Sequence, residues 1–137
     1  MTSAGDPDGV LWTGPFQDWL GYRVWIAADG SARLSLEIER RHLSQYGVGH
    51  GGVTLALLDT VGGVAVHARA GGPARLVTVS LSTSFTRGVE PGPVLAIGRV
   101  EYLGRTIAHT HAELRAGSEA GELLALAHGA YRIFRAG

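Results

Sequence analysis

The chain of 137 residues has no cysteine. That absence removes a thiolate nucleophile, a disulfide framework and thiolate metal ligands together. Lysine is missing too, all twelve basic residues being arginine, so Schiff-base chemistry and a lysine general base are excluded. Twelve acidic residues balance the arginines, and without a surplus of either sign there is no electrostatic case for nucleic acid or an anionic membrane as partner. No signal-peptide pattern, a basic stretch followed by an apolar one, is present, and the cytoplasm is the expected compartment. Nor is there a Walker loop, a GxGxxG between a strand and a helix, or an aromatic-basic surface pattern. Carboxylates, histidines and hydroxyls are left for chemistry, in a chain long enough for one domain with a real core.

The one long stretch free of both proline and strict alternation is Gly47 to Ala70, GVGHGGVTLALLDTVGGVAVHARA. It predicts a helix that is apolar around most of its circumference and therefore interior, yet too short and glycine-broken for a membrane span. Its one acid is Asp59. A carboxylate in a buried helix is costly unless partners or function offset the desolvation, which marks Asp59 as a candidate catalytic acid. At the helix start, Gly47, Gly49, Gly51 and Gly52 surround His50. Such a backbone lets a ligand approach closely, and the free N–H groups of the first turn carry partial positive charge, the makings of an oxyanion site. Gly51 and His50 lie roughly 12 to 14 Å before Asp59 along the axis at about 1.5 Å per residue, and His50 is about 180° away from it around the helix. One chain cannot bring these groups to one bond. If they act together, two antiparallel copies of the helix face each other, and the spacing predicts a dimer with composite sites.

Elsewhere the pattern is mostly strand. Met1 to Gly14 reads as a flexible arm, and Pro15 to Leu20 as a helical turn closed by Gly21. Tyr22 to Ala28 and Ala32 to Glu39 form a hairpin across a two-residue Asp29–Gly30 turn. Arg40, Arg41 and His42 then read as a solvated strand end, with a contact to the phosphates of a ligand as the minor alternative. After Gly71, Gly72 and Pro73 stop the helix, a strand from Arg75 to Thr86 places Val77, Val79, Leu81 and Phe85 on one face and Thr78, Ser80, Ser82, Ser84 and Thr86 on the other. Val94 to Leu103, Thr106 to Arg115 and Leu123 to Phe134 continue as strands, making a four-stranded meander in all. The expected class is α+β, one curved antiparallel sheet around a long central helix, occupying 15–137 as a single domain.

His50, Gly51 and Gly52, then Leu58 and Asp59, resemble the HGGxxxxxxD signature of the PaaI-type acyl-CoA thioesterases of the hotdog-fold superfamily. The resemblance extends through VTVSLSTSFTRGVEPG, Val77 to Gly92, and through Gly104 and Arg105, so it spans about Gly21 to Phe134. It implies the hotdog fold, a homodimer or a homotetramer built as a dimer of dimers, and hydrolysis of acyl-CoA carrying an aromatic or medium-chain acyl group. No cofactor is implied, coenzyme A being part of the substrate.

By this resemblance the Gly51 N–H receives the developing oxyanion, a donor worth roughly 3 to 4 kcal/mol, while Asp59 of the other subunit attacks the carbonyl or deprotonates water. His50 binds the thioester or shapes the glycine turn. Thr78 falls where relatives carry a hydroxyl that helps place the water, but the strand alternation turns it away from the helix unless the strand bulges or that face meets the dimer junction. Relatives carry an asparagine six residues before the histidine; here Ser44 stands there with Gln45 next, so either Gln45 takes over, or water fills the gap, or turnover is weaker. Phe16 and Trp19 pack in the core or at the pocket mouth, and Arg87 is a candidate for a coenzyme phosphate. His109, His111 and Glu113 share a strand face and have metal-ligating side chains, but residues in such a row sit about 6 to 7 Å apart and need not converge, so no metal is assigned. His42, His67 and His128 are read as structural. Two rival functions remain: a hotdog hydratase or dehydratase, disfavoured because Tyr46 to Gly52 has no proline, and a non-catalytic acyl-CoA binding module.

Overall fold

The computed structural model describes residues 14–73 and 75–135; the arm expected before Gly14 lies outside them. Helix α1 (Pro15–Leu20) starts with proline at a position where the missing N–H costs nothing, and ends at Gly21, whose φ of 94° is left-handed. Strands β1 (Arg23–Ile26) and β2 (Ala32–Ile38) follow, then a 3-10 turn (Arg40–His42), helix α2 (Gly51–Arg69), and strands β3 (Arg75–Phe85), β4 (Gly92–Leu103), β5 (Ile107–Ala116) and β6 (Leu123–Phe134). All six strands form one sheet in the order β1-β2-β4-β5-β6-β3, every pairing antiparallel.

That order corrects the expected meander. Only β4, β5 and β6 meander; β3 leaves α2 and pairs with β6 at the far edge, so the chain crosses the sheet between β3 and β4. Two other local expectations also change. The β1–β2 loop is one residue longer than a two-residue turn: Gly30 N–H donates to Ala27 O at 2.9 Å and Ala27 N–H to Ser31 O at 2.8 Å, with Gly30 left-handed at φ 87°. Asp29 Oδ1 accepts from the Ser31 N–H and hydroxyl, and these bonds hold its carboxyl below the usual range. The basic cluster is no solvated strand end either. Arg41 donates to the carbonyls of Trp19 and Leu20, and His42, buried, accepts the Glu39 N–H at Nδ1 and meets Leu20 O through Nε2 at 2.9 Å. These contacts tie α1 down by its last carbonyls.

Helix α2 lies against the sheet through Leu57, Leu58 and Val61, all fully buried with Leu34, Ala96 and Leu114. By length and composition it is long and apolar enough to cross a membrane, which corrects the expectation that it is too short, and 44 % of that stretch is buried inside the fold. Close approach is possible because Ala32, Gly98, Ala112 and Ala127 stand in line across β2, β4, β5 and β6. A Cβ on Gly98 would lie 2.6 Å from the Val61 carbonyl oxygen, and one on Gly62 2.5 Å from Tyr131 Oη. Contrary to the interior position its composition predicts, the helix is not covered all round. Gly51, Gly52 and Leu55 are exposed and Asp59, Thr60, Gly63 and His67 half-buried, a strip left uncovered in the single chain. Beside it β3 is an open edge, with Val77 at 44 % and Val79 at 58 % exposure.

Candidate active site

Asp59 stands midway along α2 on the uncovered strip, and Thr78 reaches it from β3: Thr78 Oγ1 donates to Asp59 Oδ1 at 2.8 Å. The reach depends on a bulge. Thr78 pairs with Tyr131 and Ser80 with Ala130, so Val79 is an extra residue in the ladder. Below it Leu76 and Thr78 are in register with the buried Ile133 and Tyr131; above it Leu81, Thr83 and Phe85 match Gly129, Ala127 and Ala125. The inserted residue reverses the parity of the strand, so the two-faced alternation read from the sequence is wrong across Val79. Thr78 therefore turns toward the helix, by one of the two routes that reading required.

Tyr131 supports the pair from beneath. Its ring is fully buried and its hydroxyl donates to the Asp59 backbone carbonyl at 2.9 Å. Burial, and after it the Asp59 charge, push the phenol well above its ordinary value, so Tyr131 stays a neutral donor. Asp59, Thr60, Gly63, Val64, His67, Leu76, Thr78 and Tyr131 line a cleft of about 320 Å³. A carboxylate with one oxygen fixed by a hydroxyl, at the wall of such a cleft, has the geometry of a general base or a nucleophile.

The other end of α2 is built differently. His50 is the N-cap at φ −61°, ψ 135°, and its Nδ1 accepts the Gly52 N–H at 2.8 Å. In the neutral ring that acceptor role leaves the proton on Nε2, as an outward donor. His50 N–H is bound to the His42 carbonyl at 2.8 Å, so the glycine turn hangs from the 3-10 turn. Gly51 opens the helix; its N–H points out of the first turn, and its Cα side faces the Phe85 ring, which a Cβ would meet at 3.7 Å. Next to His50 and Gly52 a second cavity of about 290 Å³ is walled by Phe16, Trp19, Leu20, Leu43, Val53 and Ala56. Phe16 and Trp19 stack with ring centroids 6.5 Å apart and remain 50 % and 70 % exposed, which sets them at the mouth of this cavity rather than in the core.

Other expected residues stay apart from the Asp59–Thr78 pair. Ser44 Oγ accepts the Tyr46 N–H at 3.2 Å and closes its own turn, while Gln45 is exposed on that turn. Arg87 is ion-paired with Glu122 on the surface, beside a groove with Glu90 and Pro91. The row His109, His111, Glu113 does not converge: His109 faces the Tyr102 ring and Glu113 is held by Arg115 at 3.0 Å. Tyr131 and Phe85 escaped the sequence reading as site residues. Their only trace is the small residue each abuts, Gly62 and Gly51, inside a helix where alanine would serve better.

Residues 46–122, more than half of the chain, match the family model described as the thioesterase superfamily. The chain belongs to the thioesterase superfamily. A curated Deinococcus radiodurans protein with an esterase name is 30 % identical over 112 residues, covering 81 % of this chain and 73 % of that one. The structure of a variant of the phenylacetic acid degradation protein PaaI from Thermus thermophilus superposes with a TM-score of 0.76 at 29 % identity, covering 90 % of this chain and 100 % of the other. A thioesterase from Haemophilus influenzae matches in fold, with a TM-score of 0.85 at 21 % identity over 98 % of this chain and 92 % of its own. Sheet order, central helix and relatives agree on a PaaI-like hotdog thioesterase fold.

Proposed function

We propose that this superfamily member hydrolyses acyl-CoA thioesters in a homodimer, or a dimer of dimers, whose sites combine Asp59 of one protomer with the Gly51 N–H of its partner. The observation that carries the reading is the Thr78–Asp59 hydrogen bond at a cleft wall on the uncovered strip of α2 beside the open edge of β3. A second copy laid antiparallel on that strip satisfies the unpaired edge and brings a helix N-terminus to each carboxylate.

In the reaction, Asp59 takes a proton from water as the water oxygen bonds to the thioester carbon, or bonds to that carbon itself as a mixed anhydride that water then cleaves. In both routes the carbonyl electrons move to the oxygen held by Gly51 N–H, with His50 Nε2–H as a further donor. The C–S bond breaks as they return. In the general-base route Asp59 passes the water proton to the thiolate; in the anhydride route the thiolate leaves first and takes its proton from the water that then cleaves the anhydride. Free acid and coenzyme A leave. Isotopic oxygen found in Asp59 after a single turnover marks the anhydride route with water attacking the Asp59 carboxyl carbon; label confined to product is the outcome of the general-base route or of water attacking the acyl carbon of the anhydride. The cavity under Phe16 and Trp19 suits an aromatic or medium-chain acyl group by its size and apolar walls. Ser44, closing its own turn, leaves the place of the family's asparagine to water or to Gln45 of the glycine-turn loop, and Arg87 is kept as a surface candidate for a coenzyme phosphate.

Complementation tests the composite site. Asp59→Asn removes the carboxylate. Gly51→Pro removes one N–H at a first-turn position that favours proline, behind a His50 already in the extended conformation that precedes proline. Each variant alone is expected to be inactive. Unfolded together and refolded at equal amounts, half the dimers are mixed, each with one intact and one doubly altered site, and about a quarter of the wild-type rate returns. No recovery, with dimers present, refutes sharing between chains.

A further inference from the structure

The sheet face turned away from α2 carries a convergence of ligating side chains that the hydrolytic site does not use. His111 of β5 and His128 of β6 are directly opposite in register, with ring centroids 5.2 Å apart. Both project outward, since their neighbours Thr110, Ala112 and Ala127 are buried. On β4, Val100 pairs with Thr110 and Tyr102 with His109, so Glu101 is the extra residue of a second bulge. One ligand atom from each of Glu101, His111 and His128 lies within 4.8 Å of the other two. Among the described residues this is the one group of three such side chains that meets.

We propose that Glu101, His111 and His128 bind a divalent transition metal of the zinc class, with water completing the coordination. Two imidazole nitrogens and a carboxylate oxygen are borderline donors of the kind zinc, cobalt and nickel take at about 2.0 to 2.2 Å. Magnesium and calcium ask for more oxygen ligands. The three atoms need to draw in by roughly an ångström to share one ion at those bond lengths, and the exposed side chains of Glu101 and His128 have the rotamer freedom to do so. One cation is near: Arg99 pairs with His111 across β4 and β5, but its guanidinium is turned to Asp29 at 3.6 Å. A bound ion ties three adjacent strands together on the face opposite Asp59, so its effect is on stability and not on thioester cleavage.

Co²⁺ is the probe, added to the untagged full chain. A visible absorption band saturating at about one ion per chain, displaced by Zn²⁺, is expected, and Zn²⁺ but not Mg²⁺ raises Tm. His111→Ala, His128→Ala and Glu101→Gln each weaken Co²⁺ binding about tenfold or more, while metal-free hydrolysis matches that of the wild type. Absence of the band at millimolar Co²⁺ overturns the proposal, as does saturation at one ion per two chains. So does binding that survives all three substitutions or is lost on replacing His109 or His67 instead.

Discussion

Thr78→Val keeps the shape of the side chain and deletes the donor to Asp59 Oδ1. A hydrogen bond to a charged acceptor is worth about 1.5 to 3 kcal/mol. The pair faces solvent in the single chain, so screening takes the expected loss to the low end, about 1 to 1.5 kcal/mol. At about 1.4 kcal/mol per decade this is roughly a five- to twelvefold fall. On the proposed reading the hydroxyl orients the reacting carboxylate and leaves the acyl chain untouched, so the fall belongs in kcat, with KM nearly constant. Thiol release from acyl-CoA, followed with a thiol-reactive dye, measures it without background, since the protein has no thiol of its own. Thr78→Ser, which returns the donor, should recover most of the rate. A Val variant within twofold of wild type, a loss confined to KM, or a Ser variant no better than Val would refute the role given to the bulge at Val79.

Gly98→Ala should cost about 2 to 3 kcal/mol, because its Cβ meets helix backbone at 2.6 Å that cannot swing aside. Gly88→Ala, whose Cβ finds only ordinary contact at 3.6 Å, is the control, and thermal melts separate the two. Tyr131 supplies a pH signature. Its phenol is raised when folded, so above about pH 10 the unfolded chain releases a proton that the native one keeps, and stability falls as pH climbs toward the folded value. Denaturant midpoints between pH 9 and 11 should drop for wild type and drop less for Tyr131→Phe; parallel curves would show that Tyr131 contributes nothing to the slope.

Much of the architecture could be read from pattern, because each element is long enough for its periodicity to be plain. The glycine run before an apolar helix singled out His50 and Asp59 as candidates, and pattern located all six strands to within two residues at each end. Reading failed where a single residue alters parity or where partners are far apart in sequence. Val79 looks like any strand valine, yet its insertion in the ladder reverses which face Thr78 occupies. The crossing of β3 to the far edge is decided by pairing with β6, some fifty residues later, which local composition does not encode. Arg41 and His42 look like surface charge until α1, about twenty residues earlier, presents its carbonyls to them. Glu101 and His128 were invisible as a pair for the same reason: a bulge and a register bring them together.

The line of Ala32, Gly98, Ala112 and Ala127 leaves the central helix almost no clearance above the middle of the sheet. Room for a bulkier substrate cannot be opened there without lifting the whole cylinder from its bed. Changes in acyl preference among variants of this chain should therefore accumulate at the loosely covered end, around Phe16, Trp19 and Ala56, where walls can be moved without disturbing the keel.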